Sequence, residues 1–230
     1  MSGVPVLTVD GPSGVGKGAL CQWLANRLGW HLLDSGALYR LTALAALRHH
    51  IALDDEPRLA TLATALDTEF LTEADGKLCI RLEGQVVGGE LRGESCGNAA
   101  SRIAALPTVR AALLQRQRDF RRPPGLIADG RDMGTVVFPD AGLKLFLTAS
   151  PAERARRRHK QLSEQGMNAN LATLTREIAE RDARDAGRTV APLRPAAEAV
   201  ILDTTHSSLD EIRERALQLA AQRPDFIGSL

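Results

Sequence analysis

The sequence predicts an α/β fold: a five-stranded parallel sheet flanked by helices, with a small antiparallel β insertion and a helical lid. Three observations carry this. Five short apolar runs are separated by long helical patterns, the rhythm of a parallel sheet covered on both faces. A glycine-rich turn joins the first run to the first helix. Two segments break the rhythm, one dense in turn signals and one in arginine. The chain has 230 residues, and at about 150 residues per domain it makes one core with insertions.

The first run, residues 4–9 (VPVLTV), is a buried strand with Pro5 near its start, where a missing amide is tolerated. Residues 17–28 form a helix with Leu20, Leu24 and Leu28 on one stripe, and Gly29 ends it. Residues 31–33 make a short strand before Asp34, Ser35 and Gly36, with Ser35 placed to cap a helix whose apolar positions run over 38–47. Residues 66–88 hold three short runs with turns at Asp75-Gly76 and Glu83-Gly84, an antiparallel meander. A helical pattern covers 107–120, a strand 125–128 ending at Asp129, and another 143–147. Residues 152–188 read as nearly pure helix, including a helix over 151–165, and 199–202 complete the sheet.

The first run meets Gly11-Pro12-Ser13-Gly14-Val15-Gly16-Lys17-Gly18, with the G-x4-G-K spacing of a phosphate-binding loop. Glycines let successive backbone amides converge on an anion, the helix N-terminus adds partial positive charge, and Lys17 reaches the β- and γ-phosphates. Gly18 follows the lysine where Ser or Thr would supply a hydroxyl to Mg²⁺, and Ala19 comes next. The metal is then expected on nucleotide phosphates, water and a nearby carboxylate rather than on a cluster of protein ligands. No Asn-Lys-x-Asp sequence for guanine is present.

An acceptor site is expected at the carboxyl ends of the other strands. Ser35 and Arg40 lie one turn apart after the second strand, although the same pair also fits an ordinary capped helix with an exposed arginine. Asp129, Arg131 and Asp132 follow the third core strand: Arg131 can clamp a phosphate in bidentate fashion and Asp129 can orient a metal-bound water, though a salt-bridged turn reads the same way. Eight arginines follow within 153–188: Arg154, Arg156, Arg157, Arg158, Arg176, Arg181, Arg184 and Arg188. Arg156 and Arg176 fit a solvated face. Arg181, Arg184, Asp185 and Arg188 share a helical face, as a lid over a triphosphate and a sugar would require. Clustered arginines there are expected to repel one another until phosphates arrive.

Composition excludes other classes. Net charge is +1 and aromatics are 3%, which argues against nucleic-acid binding. Three scattered cysteines (Cys21, Cys79, Cys96) without a CxxC pair suit a reducing cytoplasm. No apolar run approaches a membrane span, and residues 1–5 have no signal-peptide core. A kinase for another small acceptor, such as UMP or a hydroxy acid, and a non-catalytic nucleotide-binding regulator are the competing readings.

Taken with their spacing, DGPSGVGKGA (10–19), HLLDSGALYR (31–40), NAAS (98–101), the Arg110 helix, GLIADGRDMGTVVFPDA (125–141) and ERDARDAGR (180–188) resemble the bacterial cytidylate kinases of the nucleoside monophosphate kinase group. The likeness spans essentially the whole chain; the meander and 91–97 show no clear match. It implies a core of 1–65, 106–150 and 189–230, a monophosphate-binding insertion of 66–105 and a lid of 151–188. It implies phosphoryl transfer from ATP, with Mg²⁺, to CMP or dCMP by a cytoplasmic monomer. Gly11, Pro12, Ser13, Gly14, Val15, Gly16, Lys17, Gly18 and Ala19 would hold the ATP phosphates. Lys17, Arg131, Asp129 and Arg157 would serve the transfer. Ser35, Arg40, Ser101, Arg110, Arg131, Asp132 and Arg188 would surround CMP, with Arg181 and Asp185 on its sugar side.

Overall fold

Every residue of β1 (Val6–Asp10) is buried, so the strand lies inside a sheet covered on both faces. It opens the first of two compact units, Met1–Asp34 with Gln117–Leu230; the second is Ser35–Arg116. The computed structural model describes residues 3–72, 78–164, 166, 168–224 and 226. After β1 come α1 (Lys17–Leu28) and β2 (His31–Asp34). The second unit holds α2 (Ser35–Arg48), α3 (Glu56–Thr64), β3 (Thr68–Thr72), β4 (Leu78–Leu82), β5 (Gln85–Val86), α4 (Gly88–Arg92) and α5 (Glu94–Ile103). It ends in α6 (Pro107–Arg118), whose last residues rejoin the first unit. The chain returns through β6 (Leu126–Gly130), a single π-type turn (Met133–Val137), β7 (Leu143–Thr148), α7 (Pro151–Glu164), α8 (Leu171–Ala186), β8 (Val200–Asp203) and α9 (Leu209–Ala221).

The five expected strands form one parallel sheet in the order β2-β6-β1-β7-β8. Strand alternation sends Leu7 and Val9 into an apolar layer with Leu20, Leu24 and Leu28 of α1 and Ile212, Ala216 and Leu219 of α9. Trp30 closes this layer edge-on against Phe226, with ring centroids 4.9 Å apart. Thr8 and Asp10 point to the opposite face, where the π-type turn packs on β1. Several strands run a residue beyond their expected ends, so that Asp10, Asp34 and Asp203 each terminate one, while Asp129 stands in register with Asp34.

In the second unit the expected meander is a three-stranded antiparallel sheet, β3-β4-β5. Glu83 and Gly84 form its second turn, both with positive φ (51° and 76°), the conformation whose twist matches a two-residue hairpin. The Asp75-Gly76 turn lies outside the described residues. Against the meander pack Leu41, Leu44 and Ala45 of α2 and Cys96 of α5. Because α2, α3, α5 and α6 share the adjoining core of Tyr39, Ala43, Leu59, Ile103, Val109 and Leu113, this compact unit is wider than 66–105.

Some local expectations change. Ser35 is the first residue of α2, directly after β2, and not a residue preceding the helix. Within 152–188 lie two helices, α7 matching the pattern expected over 151–165 and α8 capped by Asn170 through Thr173 N–H. α3 and α9 were not expected, although each carries a readable start. Asp55 caps α3 ahead of Pro57. Ser208 and Glu211 form a reciprocal capping box on α9.

Candidate active site

The phosphate loop crosses from the carboxyl end of β1 into α1. Gly11 is forced by close approach: a Cβ there would stand 2.3 Å from the carbonyl oxygen of Leu147 on β7. Gly16, at φ 96°, occupies the α1 cap position and offers no side chain to its amides. No acid lies in the first helical turn either. The α1 amides are therefore left to an anion, which the helix end favours electrostatically. Val15 is buried in the apolar layer and anchors the loop from below.

Lys17 is buried, and its Nζ donates to the Pro12 carbonyl at 2.8 Å, a bond across its own loop. Burial, then the Arg131 charge, pushes the Lys17 ammonium down to about 7, while Asp129 opposes the shift. Burial likewise pushes the Asp10 carboxyl up to about 7, against the amides of Gly134 and Met133. A Cβ on Gly18 would be only 3.7 Å from Asp129 Oδ2, so Asp129 borders the position that a hydroxyl would take.

Around this loop the first unit assembles Arg131, Asp185 and Arg188. Arg131 Nε donates to Asp185 Oδ2 at 3.1 Å, and Arg188 pairs with Asp185 Oδ1. Burial alone would raise the Asp185 carboxyl, yet Arg131, Arg188 and Arg181 together hold it below the ordinary carboxylate value. The expectation of mutually repelling lid arginines is thus corrected. Asp185 neutralises two of them, and Asp182 takes Arg154 in a two-pronged pair. The same buried Arg154 donates to Ser13 O of the loop at 3.2 Å, a tie that no local pattern in the sequence announces. Arg156 and Arg176 are exposed, as expected of a solvated face.

Arg157 is engaged at the end of β8. It pairs with Glu153 at 2.9 Å and donates to the Thr204 hydroxyl at 3.0 Å and to its carbonyl. Thr204 in turn donates to Val15 O of the loop at 3.2 Å. Asp132 is buried, and its carbonyl accepts from Val136 N–H and Val137 N–H.

In the second unit Ser35, Ser101 and Arg110 are all buried. Arg110 donates to Ala104 O at 3.1 Å and stacks 5.9 Å above the Tyr39 ring. Arg40 is half-buried, and its carbonyl accepts the Cys96 thiol at 3.5 Å. Arg110 is thus held at a defined angle, as a donor that reads a ligand must be.

A parallel sheet whose first strand runs into a glycine-rich loop and a buried lysine defines a protein of the phosphate-binding-loop class. The profile of the cytidylate kinase family matches residues 7–222, and the chain belongs to that family. The cytidylate kinase of Klebsiella pneumoniae is 56% identical over 220 residues, covering 96% of each chain. That of Salmonella arizonae is 58% identical over 219 residues, covering 95% of this chain and 96% of its own. Among solved structures, a gluconokinase from Sinorhizobium meliloti 1021 aligns over 99% of this chain and 98% of its own, at 17% identity and a TM-score of 0.47. That likeness is too low to inform the site.

Proposed function

We propose that the protein transfers the γ-phosphoryl group of ATP directly to CMP and dCMP, giving ADP with CDP or dCDP. The observation that carries the reading is the buried Lys17 in its glycine-rich loop beside Asp129 and Arg131, in a chain 56–58% identical to cytidylate kinases along its length. A CMP phosphate oxygen is already ionised, so the reaction needs no strong general base. Positioning and charge neutralisation suffice.

Gly11 to Ala19 hold the ATP phosphates. Lys17 and Arg131 face the transferring group, and Arg157 steadies the loop through Thr204 and Val15. Arg40 and Arg131 take the CMP phosphate. Ser101, Arg110, Asp132 and Arg188 read the base, Ser35 packs beside CMP, and Arg181 and Asp185 lie on the sugar side. Residues 1–65, 106–150 and 189–230 serve as the core, 66–105 as the monophosphate-binding insertion and 151–188 as the lid. Mg²⁺ fits these residues as an ion carried in by the nucleotide, because the loop offers no hydroxyl after Lys17 and one carboxylate, Asp129, borders that position. When bound, the ion neutralises phosphate charge. The enzyme works as a cytoplasmic monomer. Among the described residues no helix is long and apolar enough to cross a membrane.

The direct test is a coupled ADP assay with ATP and a panel of monophosphates. Turnover with CMP and dCMP is expected; absence of CMP turnover with intact ATP binding overturns the reading. A second expectation concerns protons. Near pH 8 a lysine pushed to about 7 is mostly neutral in the nucleotide-free protein. A triphosphate beside it favours the charged form, so ATP binding draws in close to one proton. Calorimetry in buffers of different ionisation enthalpy reads this uptake, and Lys17→Met abolishes it. Binding heats independent of the buffer contradict the placement of Lys17 at the phosphates.

A further inference from the structure

We infer that Asp10 is a positioning residue that couples the ATP loop to the Arg131–Asp132 segment by holding two consecutive main-chain amides. The inference rests on the proposed role of Arg131 and Asp132 at CMP.

Asp10 is the last residue of β1 and immediately precedes Gly11. Strand alternation turns it away from the apolar layer of Leu7 and Val9 and toward the π-type turn. The residue is 5% exposed, and a carboxylate so buried is costly unless hydrogen bonds satisfy it. The two oxygens meet Met133 N–H and Gly134 N–H, each at 2.8 Å. These bonds span more than half the chain, and they grip the backbone directly, which cannot swing away by changing a rotamer.

The gripped peptides directly follow Arg131 and Asp132. Beyond them the turn is closed by its own bonds, Val136 and Val137 N–H to Asp132 O and Phe138 N–H to Met133 O. It is pressed onto β1 at Gly134, where a Cβ would come within 2.9 Å of Thr8 Oγ1. On the other side, Gly11 is pinned against Leu147 O. One carboxylate thus sets the distance from the phosphate loop to the clamp that meets the acceptor. Two parallel N–H donors require two acceptor oxygens. An asparagine of the same shape supplies one and turns an NH₂ on the other amide. This is why the position takes Asp.

Asp10→Asn is therefore the sharp variant. One amide loses its acceptor, which is worth roughly 10- to 100-fold. The expected result is a KM for CMP raised about 10-fold or more, a narrowed CMP/UMP ratio, and an ATP affinity by calorimetry within about twofold of wild type. Hydrogen exchange at Met133 or Gly134 accelerates at least about 10-fold while β7 amides keep their protection. Asp10→Ser, which offers one short acceptor, reads the same quantities if the Asn variant fails to fold. Unchanged exchange and an unchanged KM for CMP overturn the inference. So does a parallel loss of ATP and CMP affinity with general loss of protection, which marks a merely structural residue. Failure of the wild-type protein to phosphorylate CMP would instead overturn the proposed function, and leaves the exchange result standing as a separate measurement.

Discussion

Replacing Lys17 by alanine is expected to lower turnover on the order of 100-fold or more while CMP binding stays close to wild type. The lysine is preorganised: it is buried, its Nζ is tied to Pro12 O at 2.8 Å, and the Arg131 charge bears on it. No reorganisation of solvent is needed when negative charge shifts during transfer, and this makes a fixed cation effective. A collapsed fold must be distinguished from lost catalysis, and the charge supplies the control. Burial pushes the folded-state ammonium down to about 7 from 10.5. Between those values the unfolded chain binds the proton and the native one does not. Stability therefore rises with pH across that window, and at and below pH 7 the buried charge costs stability. Lys17→Met, which keeps the stem and drops the charge, should melt no lower than wild type at pH 7, with any advantage shrinking as the pH climbs toward 10.5. Near-normal turnover of Lys17→Ala would remove the loop from the catalytic site.

The second large effect is expected in the choice of base: CMP is preferred over UMP by about 10⁴-fold or more in kcat/KM. Cytosine presents a donor at N4 and acceptors at N3 and O2; uracil presents an acceptor where N4 stood and a donor at N3. In the proposed reading Asp132 would supply the acceptor for N4, and Arg110, Arg188 and Ser101 would supply donors. Asp132, Arg110 and Ser101 are buried, and the side chain of Arg188 is nearly so. Arg110 is held by Ala104 O and the Tyr39 ring, and Arg188 by Asp185. With UMP, carboxylate oxygen would face carbonyl oxygen and an arginine N–H would face N3–H. Asp132→Ala should narrow the CMP/UMP ratio chiefly by damaging CMP, and dCMP should remain a good substrate because it loses a single sugar contact. Equal kcat/KM for UMP and CMP in the wild-type protein would remove the base-reading roles of these four residues and leave the kinase chemistry intact.

The features legible without a structure are local or repeated within a short window. The Leu20, Leu24, Leu28 stripe placed α1 with its bounds, and five apolar runs placed the five parallel strands. G-x4-G-K placed the phosphate loop, and Glu83-Gly84 placed a hairpin turn. Helix period, strand alternation and positive φ are written in neighbouring residues, so they can be read without a fold. Even the missed α9 carried its capping box in four residues, Ser208 to Glu211. Tertiary structure decided where most buried charges end; the pairing of Asp185 with Arg188, three residues apart, is the local exception. Asp10 is an ordinary strand-end aspartate until β1 and the Met133–Val137 turn come together. The arginines of 154–188 are an unbalanced cluster until α7 packs on α8, placing Asp182 on Arg154, and Asp185 meets Arg131. A buried ion finds its partner through the packing of segments up to 124 residues apart. Burial makes that pairing obligatory, and no window of sequence contains it.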